Sequence, residues 1–244
     1  MSWQDTINVV SPHVVKIETP TGFGSGFLAF YNHDSTFCGI ATAAHVIAHA
    51  DVWQQPIRIS PSAGGGRLLQ AQDRVIFIDY TNDSAVAFCL KGDFQLPESP
   101  IALLPVGEPC GIGIDVGWLG YPVLEPSTVC FFTGTISASG QSAYLIDGVA
   151  INGVSGGPVF RCVHSNHVQI IGCISAYHPN RATGETLPGL ARAQDVTHFH
   201  GVAAHIRNID EATAQKREFE KAQQQKLPTN PSPPSAGTAP TPTS

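Results

Sequence analysis

Ser155 has the residue type and the local surroundings that nucleophilic catalysis requires. It lies in the segment Gly-Val-Ser-Gly-Gly-Pro at 153–158, where glycines leave the main-chain N–H groups free of side-chain bulk. A serine hydroxyl is a weak nucleophile, so it needs a neighbouring base and hydrogen-bond donors for the oxyanion that its attack creates. The segment alone also fits a glycine-rich turn with an incidental serine. The interpretation therefore depends on the rest of the chain.

A base and an orienting acid occur earlier in the sequence. His45 follows two alanines in Thr-Ala-Ala-His-Val at 42–46, and imidazole is suited to general-base chemistry. Asp83 stands where a polar turn enters an alternating strand pattern, and Asp79 is the nearest competitor for that role. Taken singly, such a histidine is more often a core residue and such an aspartate a turn residue. The order His, Asp, Ser is that of the chymotrypsin-like proteases and differs from that of subtilisin and the α/β-hydrolases.

Composition limits the class of protein and the kinds of partner. The 244 residues include 42% hydrophobic ones, enough for a sizeable core in one large all-β domain or two small ones. The net charge is −6 and no basic cluster exceeds Lys216-Arg217, so we expect no nucleic-acid partner. We expect partners to be recognised by shape and hydrogen bonds.

The cellular compartment is predicted from the N-terminus and the cysteines. The first residues carry Asp5 and lack the basic and apolar regions of a secretory signal. No apolar run approaches the length of a membrane-spanning helix, so we expect no membrane partner. The six cysteines include no Cys-x-x-Cys pair, which favours free thiols in a reducing compartment. We therefore expect a cytoplasmic protein.

Short apolar or alternating segments separated by turn signals predict many strands, which is typical of a β-barrel or β-sandwich. The predicted strands cover residues 13–18, 22–30, 37–42, 57–60, 67–78, 81–90, 101–104, 111–119, 129–138, 142–146, 161–163 and 168–176. Residues 2–11 fit either a short helix or an irregular lead-in. The Pro-rich stretch 92–109 reads as a connection between two halves.

The C-terminal part changes character. Residues 201–226 favour a helix with sparse apolar positions. Residues 227–244 are dominated by Pro, Thr and Ser without charge, and we expect a disordered tail, with a docking segment as the alternative.

The sequence resembles the trypsin-like peptidases, and most closely the protease domain of the HtrA (Deg) family. The resemblance runs from about residue 10 to about residue 192. It is carried by the segments 10–17, 24–27, 42–46, 82–86, 116–122, 133–137 and 151–158, of which the histidine and serine motifs are the most specific.

The resemblance implies an all-β fold of two perpendicular six-stranded β-barrels, chymotrypsin-like, with the site in the cleft between them. It divides the chain into a peptidase domain at 1–200 (first barrel about 10–95, second about 110–200), a C-terminal helix at 201–226 and the tail at 227–244.

The resemblance also implies the function. His45, Asp83 and Ser155 would form the catalytic triad of a serine endopeptidase that works through an acyl-enzyme and needs no cofactor. The backbone N–H groups of Gly153 and Ser155 would form the oxyanion hole. The partner would be a protein or peptide substrate, and an activating partner or effector could order the glycine-rich loops near Gly64 and Ser139.

Substrate binding is predicted at two places. Val149, six residues before the nucleophile, would floor the specificity pocket, so we expect a small or medium apolar residue before the scissile bond rather than Lys or Arg. Ser175, Ala176 and Tyr177 would pair with the substrate backbone as an added strand.

The chain departs from the HtrA pattern in three respects. We expect no PDZ domain after the barrels and no export signal, and Val154 replaces the asparagine usual before the serine. The first two features count against PDZ-based substrate capture and a periplasmic role. The third should be tolerated, because the oxyanion donors are backbone groups.

The remaining candidates are a metal site and two other functions. Cys162, His164, His167 and Cys173 surround one hairpin, but their spacing fits no zinc signature, and we expect no metal there; a disulfide between the two cysteines is equally open. The alternative functions are a catalytically silent trypsin-like module that holds peptides, and an interaction adaptor that acts through the helix and tail.

Overall fold

The alternating segments of both halves form strands. The structure, a computed structural model, describes residues 2–108, 110–163, 167–179 and 186–226, and only the backbone at 177–179, 186–188 and 224–226. The helices are α1 (Trp3–Val10), α2 (Ala44–Val52) and α3 (Thr197–Lys226). The strands are β1 (Val14–Thr19), β2 (Gly22–Tyr31), β3 (Phe37–Ala43), β4 (Ile57–Pro61), β5 (Arg67–Leu69), β6 (Arg74–Asp79), β7 (Ser84–Leu90), β8 (Asp115–Gly120), β9 (Cys130–Ser139), β10 (Ala143–Asp147), β11 (Pro158–Val163), β12 (His167–Pro179) and β13 (Thr186–Asp195).

The first seven strands form one antiparallel sheet in the order β5-β4-β1-β2-β3-β7-β6. The sheet and α2 bury a mainly aliphatic core that includes Ile17, Ile40, Ile47 and Ile59. Strand β3 is paired with β7, and Ala43 at the end of β3 lies opposite Ser84 at the start of β7. The residues that follow β3 and precede β7 therefore emerge at the same end of the sheet.

The last six strands close into a barrel in the order β10-β13-β12-β11-β8-β9. Trp118 and Phe160 are fully buried in its core. That core continues into the first sheet through Phe27, and Phe199 of α3 packs edge-to-face against Phe27 with ring centroids 5.7 Å apart. Because each buried aromatic stabilises the fold by roughly 1.5–3 kcal/mol, this shared core holds the two β-units together.

The predicted chymotrypsin-like architecture is confirmed, with one difference in the first half. The second unit is a closed barrel of six strands, as expected. The first unit has seven strands and remains an open sheet, with β5 and β6 at its two edges. The prediction treated residues 67–78 as strand, whereas a 3-10 turn at Ala71–Asp73 divides them into these two edge strands.

One other strand prediction was wrong, and one strand was missed. Residues 101–104 form only an isolated bridge between Leu103 and Ile170, because the surrounding prolines prevent a longer ladder. Strand β13 was not predicted, although it fills the central position between β10 and β12.

The C-terminal helix begins earlier than expected. The carboxylate of Asp195 accepts a hydrogen bond from the backbone N–H of Thr197 at 3.0 Å, and this contact starts α3 four residues before the predicted boundary. By internal contacts the chain divides into one unit at Met1–Arg207 and a second at Asn208–Ser244, of which residues 208–226 are described. No helix within the described ranges combines the length and apolar character needed to cross a membrane.

Arg74 occupies the place where the first sheet fails to close. Its guanidinium is buried and donates to the backbone carbonyls of Leu69 at 2.9 Å and Gln55 at 2.7 Å. These bonds join the start of β6 to the end of β5 and to the segment after α2. The Arg74 side chain thus supplies hydrogen-bond donors where β5 and β6 are not paired with each other.

We expect Arg74→Met to lower the free energy of unfolding by about 2–4 kcal/mol, because two part-buried carbonyls lose a charged donor. Urea unfolding followed by circular dichroism measures the change. Arg58→Met, an exposed arginine on the neighbouring β4, is the control and should change stability by less than about 0.5 kcal/mol. Equal effects of the two substitutions would contradict the structural role of Arg74.

Candidate active site

Ser155 lies in a tight loop that joins β10 to β11. The loop is closed by backbone bonds from Val154 N–H to Ile151 O at 3.1 Å and from Gly157 N–H to Val154 O at 2.9 Å. Gly153 has φ +91°, a conformation in which a side chain is strained, and a Cβ there would also collide with the carbonyl of Tyr121. Glycine at 153 is therefore required by the shape of the loop.

The N–H groups of Gly153 and Ser155 have no hydrogen-bond acceptor among the residues that the structure describes. Both residues line the same cavity. Donors that are free and border a cavity can bind an anionic oxygen.

His45 lies in the first turn of α2, directly after β3. Ala43 and Ala44 before it are buried, whereas half of the His45 side chain is exposed (50%). The small neighbours therefore leave the imidazole open to solvent and to the cavity.

Asp83 fixes the orientation of His45. Its carboxylate accepts hydrogen bonds from His45 Nδ1 at 2.8 Å and from the His45 backbone N–H at 2.9 Å. Its own carbonyl accepts from Ala44 N–H at 3.1 Å. Asp83 has φ +47°, an uncommon conformation that aspartate tolerates better than most residues. The turn thus delivers the carboxylate to the first turn of α2.

Asp79, the competing carboxylate, has a different role. It accepts from the backbone N–H groups of Thr81 and Asn82 and from the side chain of Asn82. It therefore shapes the turn before Asp83, as a turn aspartate does.

Ser175 is a third partner of Asp83. Its buried hydroxyl donates to the carboxylate at 2.6 Å from β12 of the second barrel. Burial raises the pKa of Asp83, but the hydrogen bonds from His45 and Ser175 outweigh burial and hold the pKa below its ordinary value of 3.8. Asp83 is therefore a carboxylate at neutral pH.

His45 and Ser155 border one cavity of about 330 Å³. Although both residues are described, no hydrogen bond joins Nε2 of His45 to the hydroxyl of Ser155. Such contacts are often long in enzymes without substrate and tighten when a substrate binds. The structure thus joins His45 to Asp83 by hydrogen bonds and places Ser155 on the same cavity as His45.

A family model described as the trypsin-like peptidase domain matches residues 24–168, more than half of the chain. The chain belongs to the trypsin-like peptidase family. No curated protein sequence is significantly similar to it.

Solved structures agree in fold. A serine-to-alanine mutant of Rv3671c from M. tuberculosis H37Rv, in an inactive form, has a TM-score of 0.56 and 20% identity, over 82% of this chain and 89% of that chain. The Rv3671c protease in its inactive form has a TM-score of 0.55 and 21% identity, over 82% and 91% of the two chains. At these identities the likeness concerns the architecture.

The residues predicted to bind substrate in this peptidase lie in different settings. Val149 is 51% exposed and lies outside the cavity. The side chain of Ser175 points to Asp83, Ala176 is exposed, and Tyr177 is described by its backbone alone. Strand β11 begins opposite Cys173, so the edge of β12 that follows is not covered by β11.

The predicted absence of a metal at the β11–β12 hairpin remains a prediction, since His164 lies outside the described residues. Within the described part of the chain no group of three or more His, Cys, Asp or Glu side chains could hold a metal ion. Cys162 lies opposite Val168 and Cys173 opposite Pro158, so the two free thiols do not face each other across the hairpin.

Ser25 is a functional candidate that the sequence did not single out. It is fully buried in β2 and contacts the loop of Ser155. The available signal was a hydroxyl between two glycines inside an otherwise apolar strand, because a buried hydroxyl must find a hydrogen-bond partner.

Ser175→Ala should raise the folded-state pKa of Asp83, because it removes one donor from the carboxylate. Since that pKa lies below the unfolded value of about 4, the carboxylate stabilises the fold above that pH, and the stabilisation is lost as pH falls through the folded pKa. The variant should therefore lose stability at a higher pH than the wild type. Carbon-13 NMR titration of Asp83 and urea unfolding at several pH values measure both effects.

Ser62→Ala is the control, because the Ser62 hydroxyl donates to the carbonyl of Ser11 and lies apart from Asp83. It should leave the Asp83 titration unchanged. An unchanged titration in Ser175→Ala would contradict the role assigned to the Ser175 hydroxyl.

Proposed function

We propose that this trypsin-like peptidase is a serine endopeptidase that uses Ser155, His45 and Asp83. The observation that carries the proposal has two parts: His45 donates two hydrogen bonds to Asp83, and His45 lines the same cavity as Ser155. The arrangement supports nucleophilic catalysis because each group has the partner that its role needs.

His45 acts as the general base. Asp83 accepts a hydrogen bond from the Nδ1–H group of His45, which leaves Nε2 as the nitrogen that can take the proton of Ser155. As the Ser155 oxygen bonds to the carbonyl carbon, that proton moves to His45 and then to the amine that leaves. Water repeats the attack on the ester and returns the hydroxyl to Ser155. Every step uses groups of the chain and water, so the proposal includes no cofactor.

The oxyanion is bound by the backbone N–H groups of Gly153 and Ser155. Their lack of acceptors among the described residues supports this role. Val154, which replaces the asparagine usual in related enzymes, is fully buried in the core. The Val154 side chain therefore packs in the core, and the presence of valine instead of asparagine leaves the backbone donors of Gly153 and Ser155 in place.

The substrate segment before the scissile bond would pair with residues 175–177. The edge of β12 beyond Cys173 is not covered by β11, which supports the addition of an extended peptide there. Val149 would select a small or medium apolar side chain before the bond.

The substrate segment after the scissile bond would enter the cavity. Ser155 and His45 line the cavity, whereas no described residue of β12 does, which supports a path from β12 past Ser155 into this space. Its apolar lining comes from Phe23, Val46 and Val123. An apolar side chain of medium size after the bond would bury its surface there.

Ser155→Ala should abolish labelling by a fluorophosphonate probe and hydrolysis of peptides, because the attacking oxygen is lost. Mass spectrometry of the intact protein detects the covalent adduct. Ser127→Ala, on the exposed loop after Val123, is the control and should label like the wild type. Labelling that persists in Ser155→Ala would exclude Ser155 as the nucleophile, and a wild type that binds peptides without forming an adduct would favour the silent binding module.

Cleavage of a peptide library should show apolar preferences on both sides of the bond. Val149→Asp should admit Lys or Arg before the bond, because a carboxylate would then face that side chain, with a change of at least about tenfold in relative kcat/KM. Val123→Asp should change the preference after the bond in the same way and leave the preference before it unaltered.

Each substitution is the control for the other. Changes that appear on the wrong side of the bond, or on neither side, would contradict these two assignments while leaving the Ser155 assignment intact.

A further inference from the structure

Ser25 connects the first sheet to the loop of Ser155. The residue is fully buried in β2. Its hydroxyl donates to the carbonyl of Gly153 at 2.8 Å and accepts from the backbone N–H of Tyr121 at 2.9 Å. Its backbone N–H donates to the carbonyl of Ser155 at 2.8 Å. One residue of the first sheet thus binds two carbonyls of the nucleophile loop.

The peptide unit between Gly153 and Val154 is held at both ends. Its carbonyl oxygen accepts from the Ser25 hydroxyl, and its N–H donates to the carbonyl of Ile151 at 3.1 Å. Because a peptide unit is planar, these two bonds fix its orientation. The peptide units on either side supply the N–H groups of Gly153 and Ser155, which have no acceptor among the described residues. Fixing the central unit therefore restricts the direction of both free donors.

Neighbouring backbone also packs closely against Ser25. A Cβ on Gly120 would lie 2.7 Å from the Ser25 hydroxyl oxygen, and a Cβ on Gly156 would collide with the Ser25 carbonyl. That carbonyl accepts from the Thr42 hydroxyl at 2.7 Å, three residues before His45. Ser25 therefore also contacts the strand that leads to the histidine.

We propose that Ser25 is a positioning residue for the oxyanion hole: its hydroxyl holds the Gly153–Val154 peptide so that the N–H groups of Gly153 and Ser155 remain available to the substrate oxygen. This role rests on the proposed endopeptidase function. Ser25 itself does not touch the substrate, and its effect is exerted through the Gly153 carbonyl.

Ser25→Ala in the full chain tests the role. We expect kcat to fall about 10- to 100-fold, less than the loss of an entire oxyanion donor, with KM within about threefold of the wild type. The affinity for a peptide boronic acid should fall by a similar factor, because that inhibitor mimics the tetrahedral intermediate. The pH dependence of kcat/KM should keep its midpoint, because the bonds between His45 and Asp83 are unchanged.

Thr6→Val is the matched control. Thr6 is also fully buried, and its hydroxyl donates to the carbonyl of Ser2 in α1. The control should lower the melting temperature as Ser25→Ala does and leave kcat unchanged. Equal kcat values for Ser25→Ala and the wild type, or equal losses in both variants, would overturn the proposal.

A crystal structure of Ser25→Ala separates this proposal from the endopeptidase proposal. We expect the Gly153–Val154 peptide to be rotated or present in two orientations. An unchanged peptide would overturn the role of Ser25 whatever the activity. A wild type without adduct formation, together with a displaced peptide in the variant, would support the role of Ser25 in the loop and contradict the endopeptidase function alone.

Discussion

The carboxylate of Asp83 accepts hydrogen bonds from both β-units of this molecule. A partly buried carboxylate is stabilised when hydrogen-bond donors surround it. Here the donors come from the first turn of α2, through the backbone and imidazole of His45, and from β12 of the second barrel, through Ser175. The pairing of β3 with β7 brings the aspartate and the histidine to one end of the sheet. Satisfying one negative charge therefore also aligns the two β-units and orients the imidazole.

Much of the site could be predicted from the sequence because its residues occur in short segments with recognisable surroundings. His45 follows a strand and opens a helix, and Ser155 lies between glycines that a tight loop needs. The order of the three residues then separated this fold from other serine hydrolases. The trypsin-like peptidase family model spans the segments that carry all three residues, which is why these segments have recognisable surroundings.

The remaining features depend on pairing between distant strands, which local patterns do not reveal. Strand β13 contains Pro188 followed by Gly189, so its sequence resembles a turn, and it is ordered by ladders with β10 and β12. The sequence predicted that the backbone of residues 175–177 pairs with the substrate, but it did not reveal that the Ser175 side chain, at a bulge between Ile174 and Ala176, donates to Asp83. The sequence shows Ser25 only as part of a motif. Its contacts could not be predicted, because its partners lie about a hundred residues later in the chain.

The open first sheet has a consequence for association. A sheet edge presents unpaired main-chain groups, and such an edge can recruit a strand from another molecule. In this sheet β5 has only three residues, and the carbonyl at its end is already occupied by the guanidinium of Arg74. Short length and a buried cation are both means by which proteins blunt their edges. The same arginine that joins the two edge strands thus leaves β5 with fewer main-chain groups for a strand of another molecule.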